Sequence, residues 1–145
     1  MKRILTLLMA TLGCSLALAG CGGTACSSGA AQLSNGTASP SCSLQPGATA
    51  TITVQLCQRC TDSSPSCQAE FVNGQLEIAP SIQQCAEQAG CAISGCNLNP
   101  SVDCVVAVPA TLSSEPLVIV ASDSQGSPVT LTGTVSLGSG TTCTL

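Results

Sequence analysis

The chain has 145 residues, with three Lys or Arg, seven Asp or Glu and no histidine, for a formal net charge of −4. So few cations exclude nucleic-acid binding and electrostatic docking on anionic lipid. With Phe71 the single aromatic, the usual anchors of sugar-binding faces and protein hot spots are missing, as is the imidazole of general acid–base chemistry.

Lys2-Arg3 opens an apolar run over residues 4–18, interrupted by Thr6, Thr11, Gly13 and Ser15 and followed by Gly22-Gly23-Thr24. A basic start, a short apolar core and small residues before a cut predict an export signal over residues 1–20. The run falls short of the roughly 20 apolar residues that span a bilayer. Leu18-Ala19-Gly20-Cys21 resembles the lipobox of bacterial lipoproteins. The resemblance implies cleavage between Gly20 and Cys21, a diacylglyceryl group on the Cys21 thiol and acylation of the new amino group. The membrane is then a partner through covalent lipid on Cys21, held by two or three chains where one holds only marginally. Gly22 in place of Asp after the lipidated residue implies the outer membrane.

Residues 21–41 are uncharged and rich in Gly, Ala, Ser and Thr, which predicts a lipid-anchored flexible tether; a bridge from Cys26 to the domain would shorten it to residues 22–25. The folded domain is expected over residues 42–145. Ala50, Ile52, Val54 and Leu56 alternate with Thr49, Thr51, Thr53 and Gln55, a half-buried strand after the Pro46-Gly47 turn. Residues 57–67 read as a loop. Asn73-Gly74 between short apolar pieces predicts a type I′ hairpin. Ser81 and Gln84 have capping-box spacing ahead of Gly90, which predicts one short helix over residues 81–89. Residues 104–108 form a β-branched strand. Residues 117–121 are continuously apolar, as in a strand covered on both sides or central in a sheet. After a turn over residues 122–127, Val129, Leu131, Val135 and Leu137 alternate with Thr130, Thr132, Thr134 and Ser136, and Gly133 reads as a bulge. Short strands with turn signals and little helix favour an all-β antiparallel sandwich.

Of the twelve cysteines, Cys14 leaves with the signal and Cys21 is consumed by lipid. Cys26, Cys42, Cys57, Cys60, Cys67, Cys85, Cys91, Cys96, Cys104 and Cys143 remain, an even set only after both subtractions. In an exported domain this density predicts a framework of five disulfides with open pairing. Each contributes about 2–4 kcal/mol. Arg59 is then the only base, against Asp62, Glu70, Glu77, Glu87, Asp103, Glu115 and Asp123.

Two stretches carry a second resemblance. Residues 44–54, with Pro46-Gly47 ahead of the Thr/Val alternation, resemble the second-strand signature of ASH/major-sperm-protein-like immunoglobulin domains. Residues 117–123 and 128–134 resemble their last two strands. The likeness implies an immunoglobulin-like sandwich, with residues 57–104 as a cysteine-rich insertion or rebuilt middle strands, and a scaffold or interaction role rather than catalysis.

The chemistry agrees. Cys57-Gln58-Arg59-Cys60 is a CxxC without the helix start that exchange chemistry uses. Cys57, Cys60, Cys85 and Cys91 could supply four thiolates, but no second CxxC and no histidine accompany them. No Gly-x-Ser-x-Gly elbow is present. The sequence therefore points to a non-enzymatic, cofactor-free lipoprotein of the bacterial envelope with a structural or protein-contact role among other envelope proteins. The rival reading is a periplasmic thiol-redox or metal-binding protein using segment 57–104.

Overall fold

The computed structural model describes residues 25–34, 39–86 and 95–145. The leader, Gly20, Cys21 and Cys91 lie outside these. Ten strands make up one strongly curled sheet: β1 Cys26–Ala30, β2 Gln32–Leu33, β3 Ser41–Leu44, β4 Thr49–Cys57, β5 Asp62–Val72, β6 Gln75–Cys85, β7 Ser101–Ala107, β8 Glu115–Ser122, β9 Pro128–Leu137 and β10 Thr142–Thr144. The chain is all-β among the described residues.

The sheet has two stretches joined by β2. In the first, β5 pairs with β6, β6 with both β1 and β8, β8 with β9, and β9 with β3. In the second, β4 lies between β7 and β10. Strand β2 bridges β8 and β4. Pairing is mixed rather than antiparallel throughout. Hairpin neighbours run antiparallel, while β3, β8 and β10, which arrive by longer connections, run parallel to β9, β6 and β4. Curling buries one face of each stretch. Ile52, Val54 and Leu56 meet Leu76, Ile78, Ile82, Leu117, Ile119, Leu44 and Val135 in a single core. Period-two alternation supplies this face directly, since successive side chains point to opposite sides.

The tail follows its pattern. Strand β8 is central, between β6 and β9, with Leu117, Ile119 and Ala121 buried and Val120 exposed. The turn after it is closed by Asp123, whose Oδ1 accepts the N–H groups of Gln125 and Ser127 at 2.8 Å. Asn73 (φ 51°) and Gly74 (φ 76°) make the expected hairpin turn, the two left-handed residues that a type I′ turn requires.

Five expectations are corrected. The helix over residues 81–89 is absent over its described part, because β6 continues to Cys85. Leu76, Ile78, Pro80 and Ile82 keep the two-residue period on the core side, and pairing with β5 and β1 outweighs a local capping signal. Pro80 is tolerated there because its nitrogen points to the junction where β6 passes from β8 to β1; its carbonyl accepts the Ala31 N–H at 2.9 Å. The loop over residues 57–67 ends early, at Asp62, where β5 begins with a register shift between Ser63 and Ser66. The tether does not reach residue 41. Cys26–Ala30 pairs with β6 in register from Cys26↔Cys85 to Ala30↔Ser81, so Cys26 does shorten it. Finally, the cysteine-rich stretch is not an insertion beside the sheet: it supplies β5, β6 and the start of β7. Gly133 faces Leu117 in an unbroken ladder and marks a close backbone approach instead of a bulge.

Candidate functional site

The cysteines make four described bridges: Cys26–Cys85, Cys42–Cys143, Cys57–Cys96 and Cys67–Cys104. Cys60 is also disulfide-bonded. The two CxxC cysteines do not bond to each other, since Cys57 takes Cys96. The four-thiolate set is likewise dispersed, because Cys85 takes Cys26. Among the described residues no group of three or more metal-ligating side chains converges.

Two of the bridges sit where the curled sheet comes back on itself without hydrogen bonds. Strand β5 packs against β7, and β3 against β10, yet neither pair forms a ladder. Cys67–Cys104 crosses the first seam with Cα atoms 4.9 Å apart, and Cys42–Cys143 crosses the second at 5.8 Å. Cys104 and Cys42 are buried, so the cystines also fill core volume that the missing aromatics would occupy elsewhere.

Arg59 and Asp62 build the turn that leads into the first seam. The Arg59 Nε and Nη2 groups donate to the Asp62 carboxylate at 3.0 and 3.2 Å, and the Arg59 backbone N–H donates to Asp62 Oδ2 at 3.0 Å. The Asp62 N–H donates back to the Arg59 carbonyl at 3.0 Å. The Asp62 side chain is 2% exposed and that of Arg59 25%. This cation is therefore committed to the fold.

Beyond its disulfide the β5–β7 seam carries a surface groove. A cleft of about 440 Å³ is lined by Cys67, Gln68, Ala69, Glu70, Asp103 and Val105. A second, of about 510 Å³, shares Ala69, Glu70 and Val105 and runs on past Phe71 to Pro109. Together they form one channel. Its walls are strand edges. The Leu56 N–H donates to the Pro100 carbonyl and the Val108 N–H to the Ala48 carbonyl, both at 2.9 Å. These bonds fix the phase of the β4–β7 ladder, so Val102, Cys104 and Val106 bond to β4. Ser101, Asp103, Val105 and Ala107 then turn their main-chain groups away from it. On the other wall, Val72↔Gln75 closes the two-residue turn and is hydrogen-bonded in such a hairpin. Cys67, Ala69 and Phe71 consequently present their main-chain groups to the seam.

The acidic groups lining the cleft are Glu70 and Asp103, while Glu77 lies on β6 and accepts from the Gln75 amide at 2.6 Å. Glu70 stands directly opposite Glu77 on the β5–β6 ladder, a destabilising like-charge pair. Asp103 accepts the Thr53 hydroxyl at 2.8 Å. Among the described residues the one ion pair is Arg59–Asp62.

Compared with protein-family models, with curated proteins and with solved structures, the chain matches none.

The channel lies outside what the sequence could single out. Alternation places Val105 and Asp103 on one face of a strand, but that β7 is an edge depends on which strands pair with β4.

Proposed function

We propose that this chain is a lipid-anchored, non-enzymatic envelope protein whose immunoglobulin-like sandwich serves structure or protein contact. The observation that carries the reading is the consumption of sulfur: nine cysteines of the folded part are disulfide-bonded. Such a framework belongs to an oxidising compartment, which is where an export signal and lipobox would deliver the chain. The two stretches of the sheet, facing each other across one core, support the sandwich type. Every cysteine in the described part of segment 57–104 is disulfide-bonded, which supports a structural role for these sulfurs over metal ligation.

The test has two arms. Palmitate labelling of the expressed chain is expected to be lost in Cys21→Ala, with the wild-type protein in the outer-membrane fraction. Thiol counting on denatured, unreduced protein is expected to find none. Label persisting in Cys21→Ala overturns the anchor; two or more reactive thiols, or stoichiometric zinc, overturn the structural role of the cysteines.

A further inference from the structure

We infer that the Cys26–Cys85 bond orients the anchored domain on the bilayer. It holds the end of the fold that carries Ala25, Arg59 and Leu98 toward the lipid surface, and the Asn73-Gly74 hairpin away from it. The inference rests on the lipid-anchored reading. With lipid on Cys21, four peptide steps separate the anchor from Ala25, a reach of at most about 14 Å. A tether running to residue 41 would leave the orientation open. The disulfide and the β1–β6 ladder instead end it at Cys26. The Ala86 N–H donates to the Ala25 carbonyl at 3.0 Å, so the pairing is closed up to the first described residue.

The strands fix what else lies at that end. Strand β6 finishes there at Cys85, and β5 begins opposite it with Asp62 facing Gln84. Gln58 bridges to Leu98 where β4 and β7 run out. A groove is lined by Ser27, Arg59, Thr61 and Gln84, groups able to hydrogen-bond to headgroups and interfacial water. Among the described carboxylates of this end, Asp62 is paired with Arg59, and Asp123 accepts two backbone N–H groups. From Cys85 back to Gln75, β6 runs about 30 Å to the hairpin. Glu70, Glu77 and Glu115 stand at that far end. Glu70 faces Glu77 across the ladder, and Glu115 Oε2 lies 3.6 Å from where a Cβ on Gly74 would be. A domain lying flat would bring these carboxylates within a Debye length, about 8–10 Å, of anionic headgroups. The tether sets which end is near, and the repulsion keeps the other end away.

The test places the chain, processed in cells, on vesicles of phosphatidylethanolamine and phosphatidylglycerol with an energy acceptor on a fraction of the headgroups. A fluorescent amino acid replaces Leu98 or Leu137, side chains 62% and 63% exposed, so either label leaves the core intact. Leu137 ends β9 at the hairpin end. Energy transfer from position 98 is expected to exceed that from 137 about twofold or more, since about 30 Å of strand separates the two levels. Inserting about 20 Gly and Ser residues between Gly23 and Thr24 adds about 25 Å of mean span and should bring the two efficiencies together. Equal transfer from the two sites without the insertion, or stronger transfer from 137, overturns the orientation. A difference that survives the insertion overturns the role given to the tether. Flotation of the vesicles separates the two readings. A chain left behind overturns the anchor and the orientation with it, whereas one that floats and transfers equally overturns the orientation alone.

Discussion

The carbonyl oxygen of Pro40 occupies the position that a side chain on Gly133 would need. A Cβ built on Gly133 falls onto that oxygen and within 2.9 Å of the Pro40 ring. The contact is held by the Thr134 N–H donating to the same carbonyl at 3.0 Å. It brings the chain entering β3 against β9 and so sets the register Ser41↔Thr134 that starts their parallel ladder.

Gly133→Ala is accordingly expected to destabilise the domain by about 1–3 kcal/mol, the range for forcing atoms into a packed site. Denaturant melts would show it. Gly74→Ala, at φ 76° but in a turn with only Glu115 Oε2 at 3.6 Å, should cost about 1 kcal/mol from backbone strain. Equal effects at the two sites would contradict the close approach.

Removing the seam bonds separates two roles. In the chain-entropy model Cys67→Ser/Cys104→Ser loses about 4 kcal/mol and Cys42→Ser/Cys143→Ser about 5 kcal/mol, from sequence separations of 37 and 101. Amide exchange should tell them apart. The first pair is expected to loosen β5 and β7 while their ladders to β6 and β4 persist. The second should fray β10, a three-residue strand.

The Arg59–Asp62 turn predicts an asymmetry. Arg59→Ala leaves a buried carboxylate without its cation, at a cost of about 1–3 kcal/mol. Adding Asp62→Asn to it should recover part of the loss, since the stranded charge goes. A double variant less stable than Arg59→Ala, measured by thermal melts, would contradict the pairing.

In the core, Ile119→Ala should cost about 2–5 kcal/mol. Val120→Ala, on the outward face of the same strand, should cost well under 1 kcal/mol. The pair checks the facing of β8 directly.

What the sequence disclosed follows from range of interaction. Residues 117–137 carry their own alternation, and Asn73-Gly74 its own turn, so both were readable locally. Cys26-Ser27-Ser28-Gly29-Ala30 has no apolar period at all. It becomes a strand because β6 offers an edge to residues 81–85 and a cysteine to bond with, 59 positions away in sequence. The described part of 81–89 differs in the opposite sense: over residues 81–85 its capping spacing is a true local signal overruled by neighbours on both edges. In β5, inward Cys67, Ala69 and Phe71 do alternate with Ser66, Gln68 and Glu70, but Ser and Pro at its start masked the period. The channel was illegible for the same reason, being a property of which strands do not pair.

Covalent links at both non-ladder seams turn the curled sheet into a hoop. Heat or denaturant can loosen its hydrogen-bonded rungs, yet the long edges cannot swing apart while the sulfur bonds last. Two copies could not trade β5–β6 or the β10 terminus by domain swapping without first breaking one. The same arrangement makes the fold answerable to the redox state of its surroundings: an encounter with a strong reductant would unlatch both sides of the hoop.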